Sequence, residues 1–169
     1  MNAFTEWRRA HVRGAAAPAG GGGAQAELTA VLRLVGQQHP LLVNVGHGRS
    51  AACADRARAF VAAWEAVGGH IGAVVSWPEE AASWLRPACR LVAGHPDLWV
   101  VADEPEGWKG MGRRLVATGV WRPSRTIAFA GLAVPDLPGV AGPEATEGLR
   151  GARADGGLWL VRDGQLVAG

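Results

Sequence analysis

The stretch LLVNVGHGRSAACADRARAFVAAWEAVGGHIGAVVSW, Leu41 to Trp77, decides the fold of this chain. Leu41–Val45 is a short apolar run of strand length, and Gly46-His47-Gly48 follows it as a loop. Ser50 then stands where a helix needs an N-cap, and Ala57, Phe60, Val61 and Trp64 recur at helical spacing as far as Val67. Gly68-Gly69 ends that helix, and Ile71–Trp77 is a second strand. A strand, a helix and a strand in this order make a βαβ unit, whose strands run parallel.

The same rhythm continues downstream. Pro78-Glu79-Glu80 opens a second helix with acids in its first turn, and Pro87 inside it predicts a kink or an early break. Pro96-Asp97 leads into a third strand, Leu98–Ala102. The loop Asp103–Glu106 enters a helix from about Gly107 to Thr118, and Arg125–Ala130 is a fourth strand. The expected class is α/β: a Rossmann-like three-layer α/β/α sandwich on a mostly parallel sheet, with the strands at 41–45, 71–77, 98–102 and 125–130 as neighbours. Beyond Gly131 the pattern dissolves into Pro and Gly. Leu158–Val161 and Leu166-Val167 then flank Arg162-Asp163-Gly164-Gln165, which predicts a C-terminal β-hairpin. Upstream, Ala26–Gln38 reads as an amphipathic helix carrying Leu28, Val31, Leu32 and Val35. Residues 14–24, with glycines at 20 to 23, read as a flexible linker. Residues 1–13 are a terminal helix or tail, which leaves 25–169 as a single domain.

Composition narrows the function. With 169 residues, 49% of them hydrophobic, the chain can bury a real core. The net charge is only +2, and sixteen arginines are scattered among fifteen acids, which disfavours nucleic acid as a partner. Cys53 and Cys89 can form neither a zinc tetrad nor a disulfide framework, so both are expected to be free thiols. Histidines 11, 39, 47, 70 and 95 show no metal-ligand spacing, and Gly46-His47-Gly48 lacks the spacing of a dinucleotide or phosphate loop; no metal and no cofactor is expected. Arg8-Arg9 is not followed by an apolar signal core, and no window offers the roughly eighteen apolar residues of a membrane span. No membrane insertion is expected, and the expected compartment is the cytoplasm.

The order of these segments resembles the C-terminal lobe of type I periplasmic solute-binding proteins of the branched-chain amino acid and amide class. The residues that carry the likeness are Gly68-Gly69 before strand two, Pro96-Asp97 before strand three, Pro105-Glu106 before the next helix and Glu147-Gly148 before a return strand. The tail GLWLVRDGQLV is similar to the closing segment of the amide- and urea-binding branch. The resemblance covers residues 41 to 167. It implies a non-catalytic domain that binds or senses a small polar metabolite, amino acid or amide-like, and is related to ABC transport. Members of that family close two lobes on a ligand, and only one lobe is matched here. A second copy of the chain or a protein partner is therefore expected to complete the site.

In open α/β sheets ligands bind outside the carboxyl ends of the strands. That rule selects the loops Gly46–Ser50, with His47, Arg49 and Ser50, Trp77-Pro78 after strand two, Asp103–Trp108 after strand three, with Asp103, Glu104, Glu106 and Trp108, and Gly131–Val134 after strand four. The resemblance makes Glu106 the receptor of a ligand ammonium; the plainer alternative is a first-turn acid that favours the helix dipole. Trp77 and Trp108 would supply apolar walls or anchors, while Trp64, Trp84 and Trp99 read as core. A rival expectation is a small α/β enzyme. Cys53, at the third position of a helix capped by Ser50, would have its thiol pKa lowered by the helix end and Arg49, with His47 as base. A further rival is a degenerate lobe serving only as an interaction module.

Overall fold

The computed structural model describes residues 22–169. The expected tail at 1–13 and residues 14–21 of the expected linker lie outside them. The chain forms α1 (Gly22–Gly36), β1 (Val43–Gly48), α2 (Ala51–Ala66), β2 (Ile71–Trp77), α3 (Leu85–Val92), β3 (Leu98–Ala102), α4 (Pro105–Val116), β4 (Thr126–Ala128), α5 (Leu137–Ala141), β5 (Arg150–Ala152), β6 (Leu158–Arg162) and β7 (Gln165–Ala168). The seven strands make one sheet in the order β2-β1-β3-β4-β5-β6-β7. The first five are parallel to one another, β6 pairs antiparallel with β5, and β7 pairs antiparallel with β6. The four strands expected from the sequence are indeed neighbours.

Alternation along the strands distributes the core over two faces. Val43, Val45, Leu98, Val100, Ala102 and Ile127 pack under α1 and α2. Trp99, Val101, Ala128, Val75 and Trp77 pack under α3, α4 and α5, joined there by Trp108, Trp121 and Trp159. Asn44, fully buried on β1, donates from Nδ2 to the carbonyls of Leu91 and Ala93, so it ties the end of α3 to the sheet.

Several boundaries differ from the expected ones, each for a local reason. Gly46-His47-Gly48 is the end of β1 rather than a loop, paired with Val75, Ser76 and Trp77. The glycines serve close packing: a Cβ at Gly46 would sit 2.5 Å from the Trp77 ring, and one at Gly48 would sit 2.3 Å from Asp103 Oδ1. The helix expected from Pro78 begins only at Leu85. That start puts Pro87 in the first turn, where no intrahelical amide is lost. Trp84 Nε1 donates to Pro78 O at 3.0 Å and closes the irregular segment between them. Gly22, Gly23 and Ala24 belong to α1, so this part of the expected linker is helical.

Beyond Gly131 the structure adds α5 and the short strand β5, neither of which has a sequence pattern of its own. Gly151 in β5 is required by contact, since a Cβ there would lie 1.9 Å from Ala128 O. The C-terminal hairpin forms as expected. Asp163 and Gly164 both have positive φ, 53° and 69°, as a two-residue type I′ turn demands. Glu147 accepts from the amides of Asp163 and Gly164 at 3.0 and 3.1 Å and holds the turn to the body of the domain.

Candidate functional site

The chain leaves β1 for β2 on one side and then returns to β3 on the other. The switch point of the sheet therefore falls between the carboxyl ends of β1 and β3. Gly48–Ser50 forms one wall of this switch point and Asp103–Gly107 the other, with Gly48 packed directly against the Asp103 carboxyl. Ala130–Leu132, a 3-10 turn after β4, continues the rim.

Asp103 is the centre of this rim. It is only 4% exposed, and its Oδ2 accepts from Trp77 Nε1 at 2.8 Å. Two glycines make room for the carboxyl group: a Cβ at Gly107 would lie 2.6 Å from Oδ1, and one at Gly48 closer still. Burial pushes the Asp103 carboxyl up to about 7, against the opposing hydrogen bond from Trp77, with Glu104 and Glu79 adding to the rise. Glu104 is exposed and lies over the next loop, where a Cβ at Gly131 would sit 2.7 Å from its Oε1.

The other sequence candidates divide into two groups. Arg49, Ser50 and Glu106 are exposed on the rim, and Ser50 Oγ caps α2 by accepting from Cys53 N at 3.2 Å. His47 is half-buried on β1, its Nδ1 2.7 Å from Gly48 O. Trp77 and Trp108 are both 0% exposed, with ring centroids 6.4 Å apart, so neither offers a face to a ligand or a partner. Trp77 fills the space left by Gly46 of β1, Trp108 packs against Trp77 and Trp121 in the same cluster, and the expected role of both as rim anchors is corrected accordingly.

Cys53 does occupy the third position of a helix capped by Ser50. It is nevertheless buried, and burial pushes its thiol up, with Asp103 and Glu104 reinforcing the effect. A thiolate there is disfavoured, contrary to the activation expected from the helix end. Cys89 is exposed on α3. Alkylation of the native protein at pH 8 is therefore expected to label Cys89 at least ten-fold faster than Cys53, read by mass spectrometry. Equal rates, or faster labelling of Cys53, would restore a nucleophilic role.

Sequence reasoning missed Glu27. It is 3% exposed on α1, and its carboxylate accepts from Arg56 Nε at 3.1 Å to each oxygen and from Ala130 N at 2.7 Å. One buried acid thus binds α1, α2 and the rim turn after β4. The available signal was an acid standing on the same helix face as Ala30, Val31 and Leu34.

No family model and no curated protein matches this sequence. Solved structures do match. A Rhodospirillum rubrum protein assigned to branched-chain amino acid ABC transport aligns at 22% identity and TM-score 0.65, over 77% of this chain and 36% of that one. A type 1 periplasmic binding protein from Bordetella pertussis Tohama I aligns at 19% identity and TM-score 0.60, over 78% and 33%. The fold matches one lobe of the type I periplasmic binding fold. An ABC-transporter solute-binding protein from Rhodopseudomonas palustris HaA2, solved in complex with p-hydroxybenzoic acid, aligns at 18% identity and TM-score 0.61, over 76% and 35%. The chain spans about a third of the length of these structures. Among the described residues no helix is long and apolar enough to cross a membrane. The similar structures include periplasmic proteins and an extracellular receptor, and the cytoplasmic compartment expected from the sequence gains no support from them.

Proposed function

We propose that this chain is a non-catalytic lobe that binds a small polar metabolite, amino acid or amide-like, at the carboxyl edge of β1 and β3. The observation that carries the proposal is the rim at the switch point: buried Asp103 set between Gly48 and Gly107, with Glu104 and Glu106 exposed beside it. Carboxylates in this position accept from an ammonium or an amide N–H. On the β1 side, the amides of Ala51 and Ala52 at the start of α2 have no intrahelical partner, Cys53 N being capped by Ser50 Oγ, and together with Arg49 they favour a carboxylate or carbonyl oxygen. A zwitterionic ligand matches both walls. Closure over it needs a second surface, from another copy of the chain or from a partner protein.

A thermal-shift screen of the full chain against amino acids, primary amides and urea tests the proposal, because a ligand selective for the folded state raises its stability by mass action. At least one compound is expected to raise the melting temperature. Its apparent affinity should fall at least ten-fold in the double variant Glu104→Gln/Glu106→Gln, with the unliganded melting temperature within a degree or two of wild type. A ligand that binds the variant as tightly as the wild type, or no response across the set, would remove this rim from consideration.

A further inference from the structure

The two stretches 81–96 and 107–125 carry Arg86, Arg90, Lys109, Arg113, Arg114, Arg122 and Arg125, and no acid. The sequence disperses these residues over forty positions, and the fold gathers them. α3 and α4 lie on the same side of the sheet and pack against each other. Arg86 with Arg90, and Lys109 with Arg113, are spaced four apart on their helices, so each pair projects to one side. All seven are exposed. Among the described residues the ion pairs are Arg56–Glu27 and Arg58–Asp55, both involving α2 on the opposite layer. Arg122 donates to the carbonyls of Gly119 and Trp121, and the other six cationic groups have no acid partner there. Glu79 and Glu80 precede α3 in the chain, Glu106 stands in the first turn of α4 on the side of Lys109 and Arg113, and Asp136 and Glu144 flank α5 in sequence.

We propose that the outer face of α3 and α4 docks on an anionic lipid bilayer surface, through Arg86, Arg90, Lys109, Arg113 and Arg114. The cations stand on two helices packed side by side in one layer, which suits a planar array of phosphates. Arginine forks pair with phosphate oxygens, and clustered cations gain from the negative surface potential of such a membrane. At the head of α3, Leu85 is 51% exposed and Trp84 is half-buried. An exposed apolar side chain such as Leu85 beside cations settles at the bilayer interface, whereas the Trp84 ring packs on Gly110 and its N–H is held by Pro78 O. Docking is peripheral and needs no spanning helix.

The test is co-sedimentation of the full chain with vesicles of phosphatidylglycerol and phosphatidylcholine, with vesicles of phosphatidylcholine alone, and with a duplex DNA fragment. Wild type is expected to bind the anionic vesicles at low salt, to release from them at high salt, and to ignore the neutral ones. The variant Arg86→Glu/Arg90→Glu/Arg113→Glu/Arg114→Glu should bind at least ten-fold more weakly, and its glutamine counterpart should show an intermediate loss. The control Arg33→Glu/Arg58→Glu, which changes the α1 and α2 layer, should bind like wild type. Absence of binding by folded wild type, or an equal loss in the control, overturns the proposal. Tighter binding to DNA than to the anionic vesicles overturns it in favour of a nucleic-acid backbone.

Discussion

Trp77→Ala is expected to destabilise the domain by about 3–5 kcal/mol, the cost of emptying a large buried aromatic site. Trp77 is fully buried at the end of β2, against Gly46 of β1 and near Trp108, which in turn packs edge-on against Trp121 with centroids 5.7 Å apart. Collapse into the cavity is resisted because its walls are a central strand and other indoles. The same substitution removes the N–H that Asp103 accepts. Trp77→Phe separates the two contributions: it keeps most of the volume and loses the donor, and about 1–3 kcal/mol is expected from leaving a buried acceptor unpaired. Urea denaturation with an unchanged slope measures both. A loss below about 1 kcal/mol for Trp77→Ala would show that this aromatic cluster is loosely packed.

The second large effect is a pH dependence centred on Asp103. Its carboxyl is raised to about 7 in the fold from 3.8 in the unfolded chain, so between these values the native state holds more protons than the unfolded state. The sign follows from linkage: stability is greatest below about pH 4 as far as this group is concerned, and falls as pH rises towards 7. Over that window the loss is on the order of 3 kcal/mol. Asp103→Asn keeps an acceptor for Trp77 and removes the titration. It is expected to be more stable than wild type at pH 8 and to lose this advantage near pH 4. Melting temperatures of both proteins across that range decide the matter, and parallel curves would show that Asp103 stays ionised throughout.

Much of the architecture was legible in the residues. The run Leu98–Ala102 buries every side chain, and a strand covered on both faces reads as continuous apolar sequence. Ser50 as N-cap and Asp163-Gly164 as hairpin turn were legible because each position needs a particular side-chain acceptor or a positive φ, and few residues supply it. Glycines misled where their reason was nonlocal. Gly46 and Gly48 look like a turn, yet they are strand residues whose missing side chains admit Trp77 and Asp103, positions thirty and more residues away. Strand β5 was illegible for a related reason: three residues with a glycine in the middle carry no periodicity.

The candidate site shows the same division. The rule that ligands meet the carboxyl ends of parallel strands needs only the order of elements, so Arg49, Ser50, Asp103, Glu104 and Glu106 could be named from the sequence. Which of them is buried could not, because burial depends on what packs from other parts of the chain. The sequence by itself determined the βαβ order, the parallel sheet, the capped helix α2 and the closing hairpin, since these follow from local patterns of side-chain size, polarity and φ. Only the tertiary structure decided that Trp77 and Trp108 are core, that Asp103 is enclosed, that Glu27 joins three elements, and that the arginine-bearing helices α3 and α4 pack side by side in one layer. Each of these is set by contacts between residues far apart in the chain, and such contacts leave no spacing to read.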